Sequence, residues 1–429
     1  MRRAETSKAG KVDSWWACNA RPAPVRPVLE GEVSVDVAVL GGGYTGLSAA
    51  LHLAERGYRV ALVEGVRIGW AASGRNGGQI VTGFNPSMAA LRQWVGPDDA
   101  RRLWDMSEEA KRLVAETVAR HQIDCDLTWG YVFAGLRARH TAAMAAMAEE
   151  WAGYGYSRAR LIGREEVRAH IGSPRYVSGL YDSGGGHLHP LNYAHGLAAA
   201  CESAGVTLYE NSPVISVETG PAPSLTTVLG RVRARFVVLG GNALLGRLVP
   251  SIRPEIAAVG TYIAATEKLG RARIRSVLAD DIAVSDMNFV LNYFRRTPDH
   301  RLLFGAGVSY SGIDPANLRA TIRRALLRVF PQLGDVRLEQ CWGGLVDLSV
   351  NRAPHLGRVS PTTYFAQGFS GHGVALTAIS GKVIAEAIAG QAERFDVFAR
   401  IPHTRFPGGP MRVPALVLAM AWYRLRDLL

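Results

Sequence analysis

The chain has 429 residues, more than one hydrophobic core usually serves, so two domains are expected. Apolar residues are 48% and charged residues 20%, a balance that excludes a disordered chain. The formal charge is +12, but the arginines are scattered (Arg101, Arg102, Arg112, Arg158, Arg160, Arg323, Arg324), which argues against nucleic acid and leaves solvated surface or a field that draws in an anionic substrate.

Residues 1–30 read as an arm. The opening MRRAETSKAGKVDSWW is basic without the apolar stretch of a signal peptide, and Pro22, Pro24 and Pro27 follow. Val35 to Leu40 is an apolar run suited to a parallel strand covered on both faces. Gly41, Gly43 and Gly46 then give the GxGxxG spacing. The first permits a tight turn, the second a close approach of backbone to pyrophosphate, and the third close packing of helix on strand. The helix beginning at Tyr44 and Thr45 presents free N–H groups and a positive dipole end to phosphates. Leu47, Ala50, Leu51 and Ala54 recur at helical spacing, and Gly57 stops the helix. Arg59 to Val63 form the next strand, with Glu64 at its end, about 20 residues on, where a carboxylate accepts from ribose hydroxyls. Strand, turn, helix, strand and acid in register predict an adenine dinucleotide site.

Ala71 to Gln79 (AASGRNGGQ) is a donor-rich glycine loop, in which Ser73, Arg75, Asn76, Gly77, Gly78 and Gln79 could wrap a ring system and phosphates. Helical patterns follow at Ala100 to His121 and Thr141 to Tyr154. Gly184 to Pro190 (GGGHLHP) places two histidines at i, i+2 with no third ligand, so no metal site is expected and the pair is read as shaping the turn into a helix from Leu191 to Ala204. Strands are expected at Val206 to Tyr209, Val214 to Val217 and Arg231 to Gly241, then at Ile256 to Thr266, Asn288 to Arg295 and Arg301 to Gly307. Asn317 to Phe330 reads as a helix, Val336 to Trp342 and Tyr364 to Ala366 as strands. Gln367 to Gly373 (QGFSGHG) leads into a helix from Val374 to Ala389. It repeats the strand, glycine turn and helix N-terminus, an element that stabilises negative charge. Pro414 to Tyr423 is too short to span a bilayer and is expected to dock as a C-terminal helix, so membrane contact is not expected. Four cysteines lie far apart with no CxxC, which suggests reduced thiols in a cytoplasmic protein.

Only one GxGxxG is present, so a single FAD is the simpler inference than twin dinucleotide folds. The fold class is α/β (α+β overall). A Rossmann-like FAD-binding domain assembled from 31–85, 180–250 and 330–392 is expected beside a substrate domain from 86–179 and 251–329. Residues 393–429 form a C-terminal segment. Nothing in the sequence sets an oligomeric state.

Taken together, GGGYTGLSAALHLAERG at 41–57, ASGRNGGQ at 72–79, RHQIDCD at 120–126, SGGGHLHPLN at 183–192, GNALLG at 241–246, RLLFGAGVSY at 301–310, GFSGHGV at 368–374 and FPGGPMRVP at 406–414 resemble the FAD-dependent amine and D-amino-acid oxidase family over nearly the whole chain. The resemblance implies a substrate domain whose large antiparallel sheet roofs the flavin. It implies oxidation of a primary amine to an imine, which water converts to an aldehyde and ammonia; the expected electron acceptor is dioxygen, giving peroxide. The alternative is a dehydrogenase of D-amino acids or sarcosine-like amines that uses a quinone or carrier protein. The resemblance also implies that Gly41, Gly43, Gly46, Glu64, Arg75, Asn76, Gly371 and His372 lie on FAD and that Val214 lies near the adenine. Gly241 and the turn Gly368, Phe369, Ser370, Gly373 and Val374 complete the cofactor set.

Two positions depart from sarcosine-oxidase relatives. Those carry a lysine for the substrate carboxylate two residues beyond the last glycine of GFSGHG, where this chain has Ala375. An amine whose acid lies far from the reacting nitrogen therefore fits better. The same relatives tether flavin through a cysteine in the stretch that holds Cys341, but non-covalent FAD is expected here. Tyr262, Tyr293, Trp342, Phe369 and His372 are candidates for the substrate cavity, where an aromatic wall excludes water and holds a polymethylene chain. Arg295 or Arg352 is a candidate to fork onto the distal carboxylate.

Overall fold

The computed structural model describes residues 14–310 and 314–411, with 414, 417 and 418. Most of the segment expected as a C-terminal helix, and the first part of the expected arm, lie outside the described residues.

Among the described residues the strands form three sheets. The central one has six strands. Val37–Leu40 lies inside it, between Phe236–Leu239 and Val60–Val63. These pairs are parallel, as are Thr207–Tyr209 beyond Val60–Val63 and Thr363–Gln367 beyond Phe236–Leu239; His355–Ser360 closes the edge antiparallel. All four residues of Val37–Leu40 and all four of Val60–Val63 are buried, because helices cover one face and other strands the other.

The strand expected at 35–40 is found as Val37–Leu40, preceded by a further strand, Gly31–Ser34, and the one expected at 231–241 is broken in two. Gly31–Ser34 pairs with Gly230–Arg233 in a four-stranded sheet, while Val37–Leu40 pairs with Phe236–Leu239 in the central sheet. Both chains switch sheets at the same level, where the Asp36 carbonyl accepts from the Arg235 and Phe236 N–H groups. The small sheet also takes Ser224–Thr226 and Ser216–Glu218.

The third sheet has nine strands and runs in the order Leu338–Ser349, Ile256–Thr266, Leu302–Ser309, Tyr293–Arg296, Ala283–Asp286, Thr128–Gly135, Ser178–His187 and Gln79–Ile80, with Ala159–Ile162 paired to Ser178–His187 off this path. Its pairs are antiparallel except Ala283–Asp286 against Thr128–Gly135. Three of its strands, Gln79–Ile80, most of Ser178–His187 and Leu338–Ser349, come from stretches expected in the nucleotide-binding segments.

One face of this large sheet packs Tyr262, Ala264, Phe294, Leu302, Phe304 and Ala306 against the helix Leu318–Val329. The other carries Ile263, Ala265, Leu303 and Trp342, with Trp15 and Trp16 laid over them. The two tryptophans belong to a helix, Trp15–Asn19, within the expected arm; Ser14 caps it by accepting from the Ala17 N–H.

Among the described residues no helix is long and apolar enough to cross a membrane, and no group of three or more His, Cys, Asp or Glu could hold a metal ion.

Candidate active site

The GxGxxG turn leads into the helix Tyr44–Ala54, and QGFSGHG leads into Gly373–Ile388. The two helices lie side by side. Near their starts the Ser48 hydroxyl donates to the Ala378 carbonyl at 2.8 Å. Near their ends the Tyr58 hydroxyl reaches the Ile388 carbonyl at 3.4 Å, and Arg56 pairs with Glu386 at 3.8 Å. The order of these contacts makes the helices parallel, so both N-termini open on one region and both positive dipole ends point there. Close approach depends on small residues: a Cβ on Gly46 would run into the Gly41 carbonyl, and one on Gly381 into Ala49 and Ser48.

At the first turn, Glu64 accepts from the Gly42 N–H at 2.7 Å and from the Val66 N–H at 2.9 Å. Burial raises its pKa, against the pull of those two donors. Its two oxygens retain lone pairs for ribose hydroxyls. Val214 follows Pro213, whose Cα would stand 3.6 Å from a Cβ added at Gly65. Gly241 lies after the neighbouring strand, where Gly240 packs against Gly41 and Gly46.

The Ser73 hydroxyl accepts from the Tyr44 N–H at 3.0 Å, which pins the 71–79 loop onto the helix start. The Tyr44 ring is buried, and its hydroxyl donates to the Pro190 carbonyl at 2.8 Å; Thr45 beside it is also buried. Asn76 organises the loop, donating to the Ala72 and Ser73 carbonyls and accepting from the Gly78 N–H. Arg75 donates to the Trp70 carbonyl at 2.7 Å and lies over the Trp70 ring. Gln79 donates to the Val284 carbonyl at 3.0 Å. Two indoles hold consecutive carbonyls from the sheet side: Trp342 donates to Arg75 and Trp16 to Asn76, each at 2.9 Å. The Tyr293 ring backs Gly77, where a Cβ would stand 3.1 Å from it.

In the late turn, Gly368 donates to the buried Asp347 carboxylate, and the Ser370 N–H donates to the Asp347 carbonyl at 3.0 Å. Phe369 is buried behind it, as is Val374 in the first turn of the helix that Gly373 opens. Gly371 has φ +96° and no atom within 4 Å of where a Cβ would stand, so the tip of the turn faces open space. His372 caps the helix, its Nδ1 lying 3.3 Å from the Gly83 carbonyl; burial pushes its pKa down to about 4, so the ring is neutral at pH 7. Asp347 escaped the sequence reading. A lone acid in an apolar strand gives no local pattern to find it by.

The structure thus gathers the 41–46 turn, Glu64, the 71–79 loop and the 368–374 turn around one region, with Trp342 and Tyr293 behind the loop. It does not bring Tyr262 there. Tyr262 points to the opposite face of the large sheet, and its hydroxyl donates to Asp314 at 2.9 Å. Arg295 is on the same face as Tyr293 but lies beneath Trp16, with its Cζ 5.0 Å from that ring, in contact with His187. Arg352 lies over Phe289. The histidines of GGGHLHP shape the turn as expected: His187 ends a strand, and His189 caps the helix Pro190–Ser203.

This arrangement suits a flavin dinucleotide, with two parallel helix N-termini opening on one region, a half-buried acid bonded to the first turn, and an open glycine tip at the second. Residues 36–387 match the DAO family of FAD dependent oxidoreductases. The chain is 40% identical over 418 residues to gamma-glutamylputrescine oxidoreductase of Escherichia coli (strain K12), covering 97% of this chain and 98% of that one. L-proline dehydrogenase from P. horikoshii superposes with a TM-score of 0.71 over 84% of this chain and 94% of its own, at 19% identity. Glycine oxidase from Bacillus cereus ATCC 14579 superposes with a TM-score of 0.70 over 86% and 99%, at 20% identity. At that identity the two structures speak to the fold alone. With both glycine turns and the sheet between them inside the family match, the chain belongs to the DAO family of FAD-dependent oxidoreductases, and its cofactor is FAD.

Proposed function

We propose that the protein oxidises a primary amine whose carboxylate lies far from the reacting nitrogen, gamma-glutamylputrescine or a similar polyamine conjugate. The amine loses two electrons and two protons to give an imine, and water releases an aldehyde and ammonia. Dioxygen takes the electrons and protons as hydrogen peroxide. The observation that carries this reading is the 40% identity, over nearly the full length of both chains, to a relative named for that substrate.

FAD supplies the two-electron acceptor when bound. The residues read as holding it are the 41–46 turn, Glu64, the 71–79 loop and the 368–374 turn. Two donor-rich helix starts would favour negative charge on a reduced ring. Neutral His372 adds no second cation beside an incoming amine, which favours the uncharged, reactive amine. Tyr293 and Trp342 form an apolar wall against which a polymethylene chain can lie. Ala375, buried in the first turn of its helix, offers no cation for an acid beside the amine. The flavin is read as non-covalent, because Cys341 packs with the cluster on the sheet face away from Trp342.

We read the nucleotide-binding unit as 31–85, 180–250 and 330–392 and the substrate unit as 86–179 and 251–329, with the strands Gln79–Ile80, Ser178–His187 and Leu338–Ser349 lent to the substrate sheet. Four cysteines spread through the chain with no CxxC support a cytoplasmic setting.

The test is anaerobic mixing of the yellow protein with gamma-glutamylputrescine, putrescine, glycine and sarcosine. The glutamyl conjugate should bleach the flavin fastest, and admitted air should restore colour with peroxide formed. Faster bleaching by glycine or sarcosine would overturn the substrate reading, and a flavin that air does not reoxidise would overturn dioxygen as acceptor.

A further inference from the structure

Three buried N–H groups surround the Trp16 indole without an acceptor among the described residues. They are Trp15 Nε1, Arg295 Nε and His189 Nε2. Their side chains touch one another through Trp16. Its ring centroid is 5.0 Å from that of Trp15 and 4.7 Å from that of His189, and the Arg295 Cζ stands 5.0 Å above it. The proton on His189 follows from its other nitrogen: Nδ1 accepts from the Asn192 N–H at 3.2 Å, so in the neutral ring Nε2 carries the hydrogen. Burial holds the ring neutral by pushing its pKa down to about 3.

All three orphans are therefore donors, and one belongs to a cation that is 3% exposed. A buried donor left unmade costs about 1–3 kcal/mol, and more when it is charged. Burial lowers the Arg295 pKa to about 10, against the pull of Asp281 and Asp126. Neither acid makes a hydrogen bond or ion pair with it among the described residues: Asp281, whose Oδ1 itself lacks a hydrogen bond, lies 3.3 Å from His187 and 3.4 Å from Arg296, and the side chain that touches Arg295 is His187, not a carboxylate. A cluster of unmatched donors around one cation is matched by an acceptor-only anion that is planar and forked.

We propose that Trp15, His189 and Arg295 form a carboxylate-binding pocket, walled by Trp16, that takes the acid end of the amine substrate. This deepens the amine reading and rests on it for the identity of the ligand. The pocket adjoins the proposed flavin loop, since Trp16 donates to Asn76. Arg295 is two residues beyond Tyr293 on the same strand face, about 7 Å along it. The acid would then sit a short polymethylene length from the wall at Tyr293, which matches a substrate with its carboxylate remote from its amine. The short N-terminal helix thereby acquires a role: it supplies one donor and the wall.

The experiment uses holoenzyme and glutarate, a dicarboxylate that lacks an amine, followed by tryptophan fluorescence and calorimetry. Trp15→Phe keeps the ring and removes one donor; Arg295→Gln removes the charge. Both are checked for flavin content and melting temperature. Glutarate should bind the wild-type holoenzyme, about 5–10-fold more weakly to W15F and at least about 50-fold more weakly to R295Q. The KM for amines bearing a distal acid should rise in parallel, with KM for plain alkylamines unchanged. Absence of glutarate binding to wild type, or equal affinity in W15F with flavin retained, would overturn the pocket even if amines still bleach the flavin. Glutarate bound as expected while no amine bleaches the flavin would keep the pocket and remove the amine reading. Should R295Q fail to fold, the W15F comparison decides alone.

Discussion

Ser48 and Ala378, 330 residues apart, are joined by a 2.8 Å hydrogen bond that fixes the start of one cofactor-facing helix against the start of the other. Gly381 lets them meet, because a Cβ there would run into Ala49 and Ser48. Gly381→Ala should therefore push the helices apart and cost about 1–3 kcal/mol, as overpacking does. Thermal unfolding and flavin released on dilution should change together. A variant that melts like wild type would mean that this contact does not set the spacing.

The two glycine turns should respond differently to the same added methyl. At Gly46 it meets the Gly41 carbonyl, so Gly46→Ala should fail to seat the helix on its strand and should purify colourless. At Gly371 there is room, and the cost is the positive φ alone, about 1–2 kcal/mol. Gly371→Ala should fold, with its effect confined to flavin retention and spectrum. Circular dichroism beside flavin content separates the two outcomes.

Tyr262 and Tyr293 lie on opposite faces of the large sheet. Removing the Tyr293 ring by Tyr293→Ala should raise the amine KM about tenfold, roughly the loss of 1.4 kcal/mol of apolar contact. Tyr262→Phe should leave KM within about twofold and lower stability by about 1 kcal/mol through its lost bond to Asp314. Steady-state kinetics at saturating and limiting amine distinguish them. Equal effects on KM would place both rings on the substrate.

This pair also marks where the sequence stops being readable. The helix Tyr44–Ala54 and the strands on either side follow from glycine spacing and local periodicity, as do Leu318–Val329 and Gly373–Ile388. Alternation along Ile256–Thr266 fixes that Tyr262 and Ile263 point oppositely, but both faces of the sheet are apolar, so composition does not say which one meets the cofactor. The meeting of Ser48 with Ala378 and of Trp16 with Asn76 depends on tertiary packing that leaves no local pattern. Trp15–Asn19 is too short for helical periodicity, and the strand Ser224–Thr226 is too short and polar to stand out.

Buried His189 gives stability a sign on the acid side. Its pKa falls from 6.5 to about 3 through burial. Between these values the unfolded chain binds a proton that the folded chain does not, so the stabilisation is full above about pH 6.5 and is lost as pH falls, at about 1.4 kcal/mol per pH unit. His189→Asn keeps a side-chain acceptor for the Asn192 N–H at the helix cap and removes the titration. Denaturant unfolding at pH 7.5 and 5.0, with FAD in excess, should show wild type losing about 2 kcal/mol more than the variant over that interval. An equal loss in both would mean that the imidazole gains its proton without unfolding.

Asp347 is the clearest case of a residue that acts on the cofactor region through another group. Its carboxylate is buried, accepts from the Gly368 N–H and takes a further bond from the Asn242 side chain, while burial raises its pKa. Asp347→Asn replaces one accepting oxygen by a donor. The Gly368 N–H then meets a neutral amide in place of a carboxylate and loses a charge-assisted bond, worth about 1–3 kcal/mol. The loss should fall on the turn that ends at His372, loosening flavin at that end while the Gly41 turn and Glu64 remain intact. Flavin should dissociate faster from D347N, and the amine KM measured with FAD in excess should change little. If D347N holds flavin as tightly as wild type, the turn keeps its shape through the Ser370 N–H bond to the Asp347 carbonyl and the bond from Asn85 to the Ser370 carbonyl, both of which the substitution leaves in place.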